Sequence, residues 1–263
     1  MNNTIPKRSF MQKFHVKGIL WVISLIVLLF LSSAMTGVNL TEFFNNLNQF
    51  ADLLVKMSNP DWQYMNIIIQ PIIETIQMAL LGTTLGAIVA VPFSVIAARN
   101  IVKNPFIRGI VRLILNLVRT FPNLLLAALF VAVVGIGPTA GVFTLAIFSF
   151  GMVSKLFYET VEAIDDKPLD ALKATGANKI QVIIYSVIPQ VLNRFIDYFL
   201  YTFEINVRSS TVLGYLGAGG IGVYLQRSLS SFMYNQTSVI IITILVVVIV
   251  IDGISNILQE KLK

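Results

Sequence analysis

The chain contains no cysteine and one histidine, and only 12% of its 263 residues are charged. The missing cysteines exclude disulfides, thiolate nucleophiles and cysteine-ligated metals. The histidine, His15, stands in a basic N-terminal stretch, where a solvated role is expected. Without a second histidine, membrane zinc proteases and histidine-assisted hydrolases lose their ligands and base. Soluble domains carry about 25% charged residues. Half that share, beside 56% apolar residues, describes an integral membrane protein. No G-x-x-x-x-G-K-[ST] occurs anywhere, so the chain has no phosphate cradle of that kind. The run Gly217-Ala218-Gly219-Gly220-Ile221-Gly222 does spell G-x-G-x-x-G. A dinucleotide site needs a strand before that run and an acid about 20 residues after it. Here an apolar helix-length segment precedes it, and no Asp or Glu lies between Glu204 and Asp252.

What is present is a series of long apolar stretches. The length suits one bundle of five to seven spans at ~20 residues each. Spans are expected at about 19–37, 71–98, 113–134, 139–158, 191–213 and 237–258. Residues 1–18 form a tail and residues 19–263 a single transmembrane domain, all-α, with about six helices. Ser32-Ser33-Ala34 offers a signal-peptidase reading of the first stretch. Its apolar run of ~17 residues is long for a signal peptide, so a retained span is expected. Residues 38–70 mix Asn, Gln and Asp with Phe and Leu and include Trp62 and Tyr64, as an amphipathic helix at an interface does. Gly82 and Gly86 form a G-x-x-x-G that can seat a second helix closely. Pro92 is expected to kink its helix.

The basic residues orient the spans. The N-terminal tail, residues 99–112, residues 155–194 and the C-terminal tail hold four, four, five and two Lys or Arg, fifteen in all. The alternate segments hold three: Lys56, Arg208 and Arg227. By the positive-inside rule, both termini and residues 155–194 are cytoplasmic. The net charge of +6 is accounted for by this orientation and does not call for nucleic acid.

Residues 159–190 are the longest polar interruption in the second half of the chain. Eight charged residues from Glu159 to Lys179 fall within 21 positions. Asp165 and Asp166 before Pro168 open a short helix, Gly176 closes it, and Asn178 with Gln181 caps a second one. Pro189 fits the first turn of the next apolar segment. A helix–turn–helix on the membrane surface is therefore expected.

The spacing Asp170-Ala171-Leu172, Gly176, Ile188-Pro189 resembles the EAA motif of bacterial ABC-importer permeases, which reads E-A-A, three residues, G, nine residues, I-x-L-P. Asp170 replaces Glu, Leu172 the second Ala, Ser186 the Ile and Ile188 the Leu. The strings RTFPNLLLAALFVAVVGIGPTAGV and FEINVRSSTVLGYLGAGGIG are similar to phosphonate-type permeases in particular, and the resemblance covers roughly residues 70–258. It implies a type I importer permease fold in a bacterial plasma membrane. It also implies two cytoplasmic ATPase subunits, a second permease copy as a homodimer, and an extracytoplasmic binding protein. No cofactor and no nucleic acid are implied. Residues 159–190 would then dock an ATPase, with Asp170, Ala171, Leu172, Lys173, Gly176 and Pro189 as the coupling residues.

Polar residues inside spans are candidates for the pathway. Glu204 and Arg208 are four apart on one helix face and are expected to pair, with a packing or a pathway role. Arg119 either snorkels to the headgroups or, with Asn123, lines the path. Gly217, Gly219 and Gly220 permit close backbone approach; the resemblance puts them near the external mouth, and a simple turn is the alternative. A stand-alone channel or secondary transporter is the rival function, disfavoured by the lack of an internal repeat and the few intramembrane acids. Cargo remains open between phosphonate, related phosphorus oxyanions and other small solutes.

Overall fold

The computed structural model describes residues 16–262; expectations for the first fifteen residues, His15 included, fall outside them. The chain divides into two compact units, Met1–Val55 and Lys56–Lys263. The described part of the first unit holds helix α1 (Val16–Thr36), of 21 residues, then α2 (Leu40–Asn45) and the start of α3 (Leu47–Met57). At 1.5 Å per residue, α1 is about 31 Å long, a bilayer's hydrocarbon thickness. Asn39 caps α2 by accepting the Thr41 N–H at 3.0 Å.

In the second unit, a 3-10 turn (Trp62–Tyr64) leads into α4 (Met65–Ala97). This 33-residue helix runs unbroken through Pro71 and Pro92, where a kink at Pro92 was expected. There follow α5 (Pro105–Thr120), α6 (Asn123–Val134) and α7 (Pro138–Glu162). After α7 come α8 (Asp166–Ala174), α9 (Lys179–Val182), a π-helical turn (Ile183–Val187) and α10 (Ile188–Gly214). Helices α11 (Ile221–Ser230) and α12 (Tyr234–Leu262) complete the described residues. Among these residues there is no strand.

The helices α4 and α7 form the spine of this unit. A Cβ on Gly82 would meet the Leu145 side chain at 2.5 Å. One on Gly86 would collide with the Ala146 carbonyl and come within 2.7 Å of the Phe150 backbone nitrogen. The G-x-x-x-G thus lets the α7 backbone lie directly on α4. Met78, Ala79, Leu145, Val207, Leu213 and Ala218 close the core around this contact.

The third span departs from expectation. It is not one helix over 113–134 but α5 and α6, bent by 87°. The cause is local. Pro122 lacks an N–H and forces the residue before it out of the helical region; Phe121 is extended, at φ −70°, ψ 125°. At the other end α5 begins earlier than expected. Asn104 accepts the Phe106 N–H at 3.0 Å and Pro105 occupies the first turn, so residues 105–112 are helical, not loop. Among the described residues, four helices are long and apolar enough to cross a membrane, or five with the bent pair counted as one span. Helix α10 is long enough but carries Arg194, Asp197, Glu204 and Arg208, so a count of six includes one charged helix.

Candidate functional site

The helix–turn–helix forms as its sequence dictates. Asp165 accepts the Lys167 N–H at 3.0 Å, satisfying one orphan donor of α8. Gly176 has φ +84°. In that conformation its N–H reaches the Lys173 carbonyl at 3.0 Å and the Ala177 N–H the Leu172 carbonyl at 3.2 Å, a closing arrangement that disfavours β-branched residues. Asn178 and Gln181 form a reciprocal capping box, at 2.9 and 2.8 Å. Leu169 is buried with Phe157, Val161, Val182 and Val187, which fixes α8 against the end of α7.

The side chains expected to couple divide between two faces. Asp170, Ala171, Lys173, Gly176 and Pro189 are exposed, and Leu172 is half-buried. Asp170 pairs with Lys173 at 2.9 Å. Lys173 shares its helix stripe with Leu169 and lines a cavity beneath α8. Lys167 and Ala171 lie about half a turn of the helix wheel away, on the free side.

Sequence reasoning missed the residue that ties the spans together where this element begins. Glu162, the last residue of α7, is largely buried and bridges two arginines. It accepts the Arg99 N–H at 2.6 Å and is hydrogen-bonded to the Arg112 guanidinium. Arg112 also donates to the Ala97 carbonyl at 3.0 and 2.8 Å, closing the C-terminus of α4. Its guanidinium lies 4.8 Å from the centre of the Tyr158 ring. One carboxylate therefore joins α4, α5 and α7 where the polar stretch begins. Its signal was present as an acid at the boundary of an apolar run, but nothing local names its partners.

At the opposite end of α7 the glycine run is a clamped turn. Gly217, Gly219 and Gly220 all have positive φ. The Gly217 carbonyl accepts the Gly137 N–H at 2.9 Å. Glu74 accepts the Gly220 N–H at 2.8 Å, and the Thr75 hydroxyl accepts the Ile221 N–H at 2.8 Å. A Cβ on Gly219 would lie 2.8 Å from Pro138. Glu74 was also missed, although an acid in an apolar span is itself a signal.

Of the other pathway candidates, Arg119 and Asn123 meet at the α5–α6 bend. With Lys155 they line one cavity of about 230 Å³. Lys155 is paired with Glu159 and donates to the Tyr158 hydroxyl at 2.7 Å. Glu204 and Arg208 do pair, with the carboxylate largely buried and the guanidinium 54% exposed. Among the described residues no ion pair joins either residue to the α5–α6 cavity or to the glycine turn. Between these groups Asn206, fully buried, donates to Thr83 and Ser149 at 2.7 Å each, linking α10 to α4 and α7. No group of three or more His, Cys, Asp or Glu suited to a metal occurs among the described residues.

Known proteins resemble this chain. Residues 90–263 match the profile described as binding-protein-dependent transport system inner membrane component. The phosphite transport system permease protein PtxC of Stutzerimonas stutzeri is 37% identical over 223 residues, covering 85% of this chain and 81% of that protein. The phosphate-import permease protein PhnE of Mycolicibacterium smegmatis is 42% identical over 176 residues, 67% of this chain and 33% of the relative. In three dimensions an inward-facing structure of the MetNI methionine ABC transporter superposes with a TM-score of 0.69 at 19% identity, covering 76% of this chain and 98% of that one. The last likeness carries the fold: a type I importer permease.

Proposed function

Since the chain belongs to the family of binding-protein-dependent transport inner membrane components, we propose that it is the permease of an importer for a phosphorus oxyanion such as phosphite, phosphate or phosphonate. Permeases of this family are transport subunits, not enzymes, and they work with a separate ATPase and a substrate-binding protein. The cargo reading is supported by the phosphite and phosphate importers among the relatives. The assembly we assign has two permease copies and two ATPases, with both termini on the ATPase side and α10 crossing the membrane as a sixth span.

The observation that carries the mechanism is the pair of pinned ends of α7. Helices α8 and α9 present Lys167, Asp170 and Ala171 to an ATPase groove, a helix-in-groove contact. Closure of the ATPases displaces this element. Glu162 carries the displacement to α4, α5 and α7. At the far end the turn at Gly217, Gly219 and Gly220 follows Pro138 and Glu74 and acts as the outer gate. Arg119 and Asn123 line the route, and Glu204 and Arg208 stand on the helix that a second copy would face.

Two measurements test this. Proteoliposomes holding permease, ATPase and binding protein should accumulate labelled phosphite or phosphate only with ATP inside the ATPase compartment. Uptake of none of the phosphorus oxyanions, with the complex intact, overturns the cargo. Single cysteines placed at Asn46 and Ser231 should react with an impermeant reagent outside intact cells, and one at Asn178 should not. Labelling at Asn178 overturns the orientation and the docking together.

A further inference from the structure

The largest cavity described here lies away from the proposed route. It has a volume of about 710 Å³, far more than a tetrahedral oxyanion needs. Its floor is apolar, with Ile96 at the end of α4, Ile107 in the first turn of α5 and Ile183 at the start of the π turn. Its rim carries Lys103, Lys173 and Lys179. Lys173 is paired with Asp170, whereas Lys103 and Lys179 have no ion pair among the described residues. Both isoleucines nearest the membrane are open to the outside, Ile96 at 36% and Ile107 at 46% exposure.

We infer that this cavity holds one anionic phospholipid, its phosphate between Lys103 and Lys179 and an acyl chain on Ile96, Ile107 and Ile183. Three features select that occupant. An apolar floor continuous with the ends of two membrane helices fits an acyl chain and not a soluble peptide. Lysines without an ion pair above it attract an anion, and basic pockets at the inner ends of membrane helices hold lipid phosphates. The chain's own N-terminal stretch, with Lys7, Arg8 and Lys13, has the wrong sign to neutralise them. The ATPase is left the opposite side of α8, where Lys167 and Ala171 stand. Because Leu169 and Lys173 line the cavity, the bound lipid would brace α8 from below and set the position from which it docks. The leaflet rests on the orientation proposed above; the binding does not.

The test uses the full chain, purified, stripped of lipid and exchanged into micelles containing equal phosphatidylglycerol and phosphatidylcholine, with retained lipid counted by native mass spectrometry. The parent should retain one phosphatidylglycerol in preference to phosphatidylcholine. Lys103→Gln with Lys179→Gln should lower that retention about 25-fold, roughly fivefold for each lysine near the surface. Lys17→Gln with Lys261→Gln removes the same charge elsewhere and should leave retention unchanged. Ile107→Trp fills the floor while keeping every charge, and it should also expel the lipid. Equal retention of the two lipids by the parent overturns the inference. So does parent-like retention by the double lysine variant, including the case in which that variant instead loses the ATPase, which would give the lysines to that partner. External labelling at Asn178 with lipid retention intact would fault the orientation alone.

Discussion

The contact between α4 and α7 allows a sharp test, because two glycines on neighbouring helices meet opposite surroundings. In an exposed helix interior, Gly→Ala gains about 0.5–1 kcal/mol from reduced backbone entropy. Gly109 on α5 has nothing within 4 Å of an added Cβ, so Gly109→Ala should show that gain undiluted. Gly86 differs. Its Cβ would overlap the Ala146 carbonyl and crowd the Phe150 nitrogen and the Ser149 Cβ, at 2.7 and 2.6 Å. Backbone atoms cannot rotate away, so α7 must shift outward along its contact with α4. Overpacking of this sort costs about 1–3 kcal/mol. Both variants share the helical gain, so Gly86→Ala should be about 1–3 kcal/mol less stable than Gly109→Ala.

For a chain of this size, 1 kcal/mol moves the melting temperature by about 2–4 °C. Gly86→Ala should therefore melt about 2–12 °C below Gly109→Ala in one detergent, and Gly109→Ala slightly above the parent. Intrinsic fluorescence from Trp21 and Trp62 or a thiol-free light-scattering melt reads the difference. Chain levels in membranes should fall in the same order. If Gly86→Ala melts with or above Gly109→Ala, the two helices do not pack through this glycine face.

Gly176→Val should insert normally yet lose the ATPase, because φ +84° strains a β-branched residue by about 1–3 kcal/mol; Gly176→Asn should retain it, since nothing lies within 4 Å of an added Cβ, and equal behaviour of the two in co-purification refutes the turn. For Glu204 and Arg208, the guanidinium's 54% exposure limits the coupling in a double-mutant cycle to about 0.3–0.5 kcal/mol in the solubilised single chain; strict additivity refutes the pairing. Glu74→Ala should lower the melting temperature and transport more than Glu74→Gln, which keeps an acceptor for the Gly220 N–H; identical losses would mean the charge, not the hydrogen bond, holds the turn.

Local features were legible in the sequence because local chemistry fixes them. The caps at Asp165 and Asn178, the positive φ at Gly176 and the Glu204–Arg208 pair need only residues within four positions of one another. The proline bend was half-legible. A proline such as Pro122 cannot continue the helical ladder, but the 87° outcome depends on Phe121 going extended and on α6 packing back along α7. The helical start at Pro105 was hidden by the basic residues Arg108 and Arg112, which suggested loop while their stems lie along a half-buried helix. The long-range polar links were not legible. Glu162 meets Arg112 across 50 positions, Glu74 meets Gly220 across 146 and Asn206 meets Thr83 across 123. Each such partner is chosen by the packing of α4 and α7, which only the assembled bundle defines.

That packing also decides how motion can pass through the chain. For α7 to move while α4 and α5 stay, Glu162 would have to release Arg99 and Arg112, leaving a largely buried carboxylate without partners. Breaking such a pair on one side costs several kcal/mol. Moving α4, α5 and α7 together keeps those bonds, and Leu169, packed with Phe157 and Val161, carries α8 along with α7. The strain then falls where the backbone is already irregular. One such place is the Phe121–Pro122 bend, where both residues are extended. The other is the π turn Ile183–Val187, a form that stores an extra residue and often marks functional sites. Between those two breaks, α4 and α7 are one body with Glu162 at one end and the Gly219–Pro138 contact at the other. On the mechanism proposed above, a push on the polar element would reach the glycine turn about 37 Å away, the length of a 25-residue helix at 1.5 Å per residue, without any hinge inside the spine.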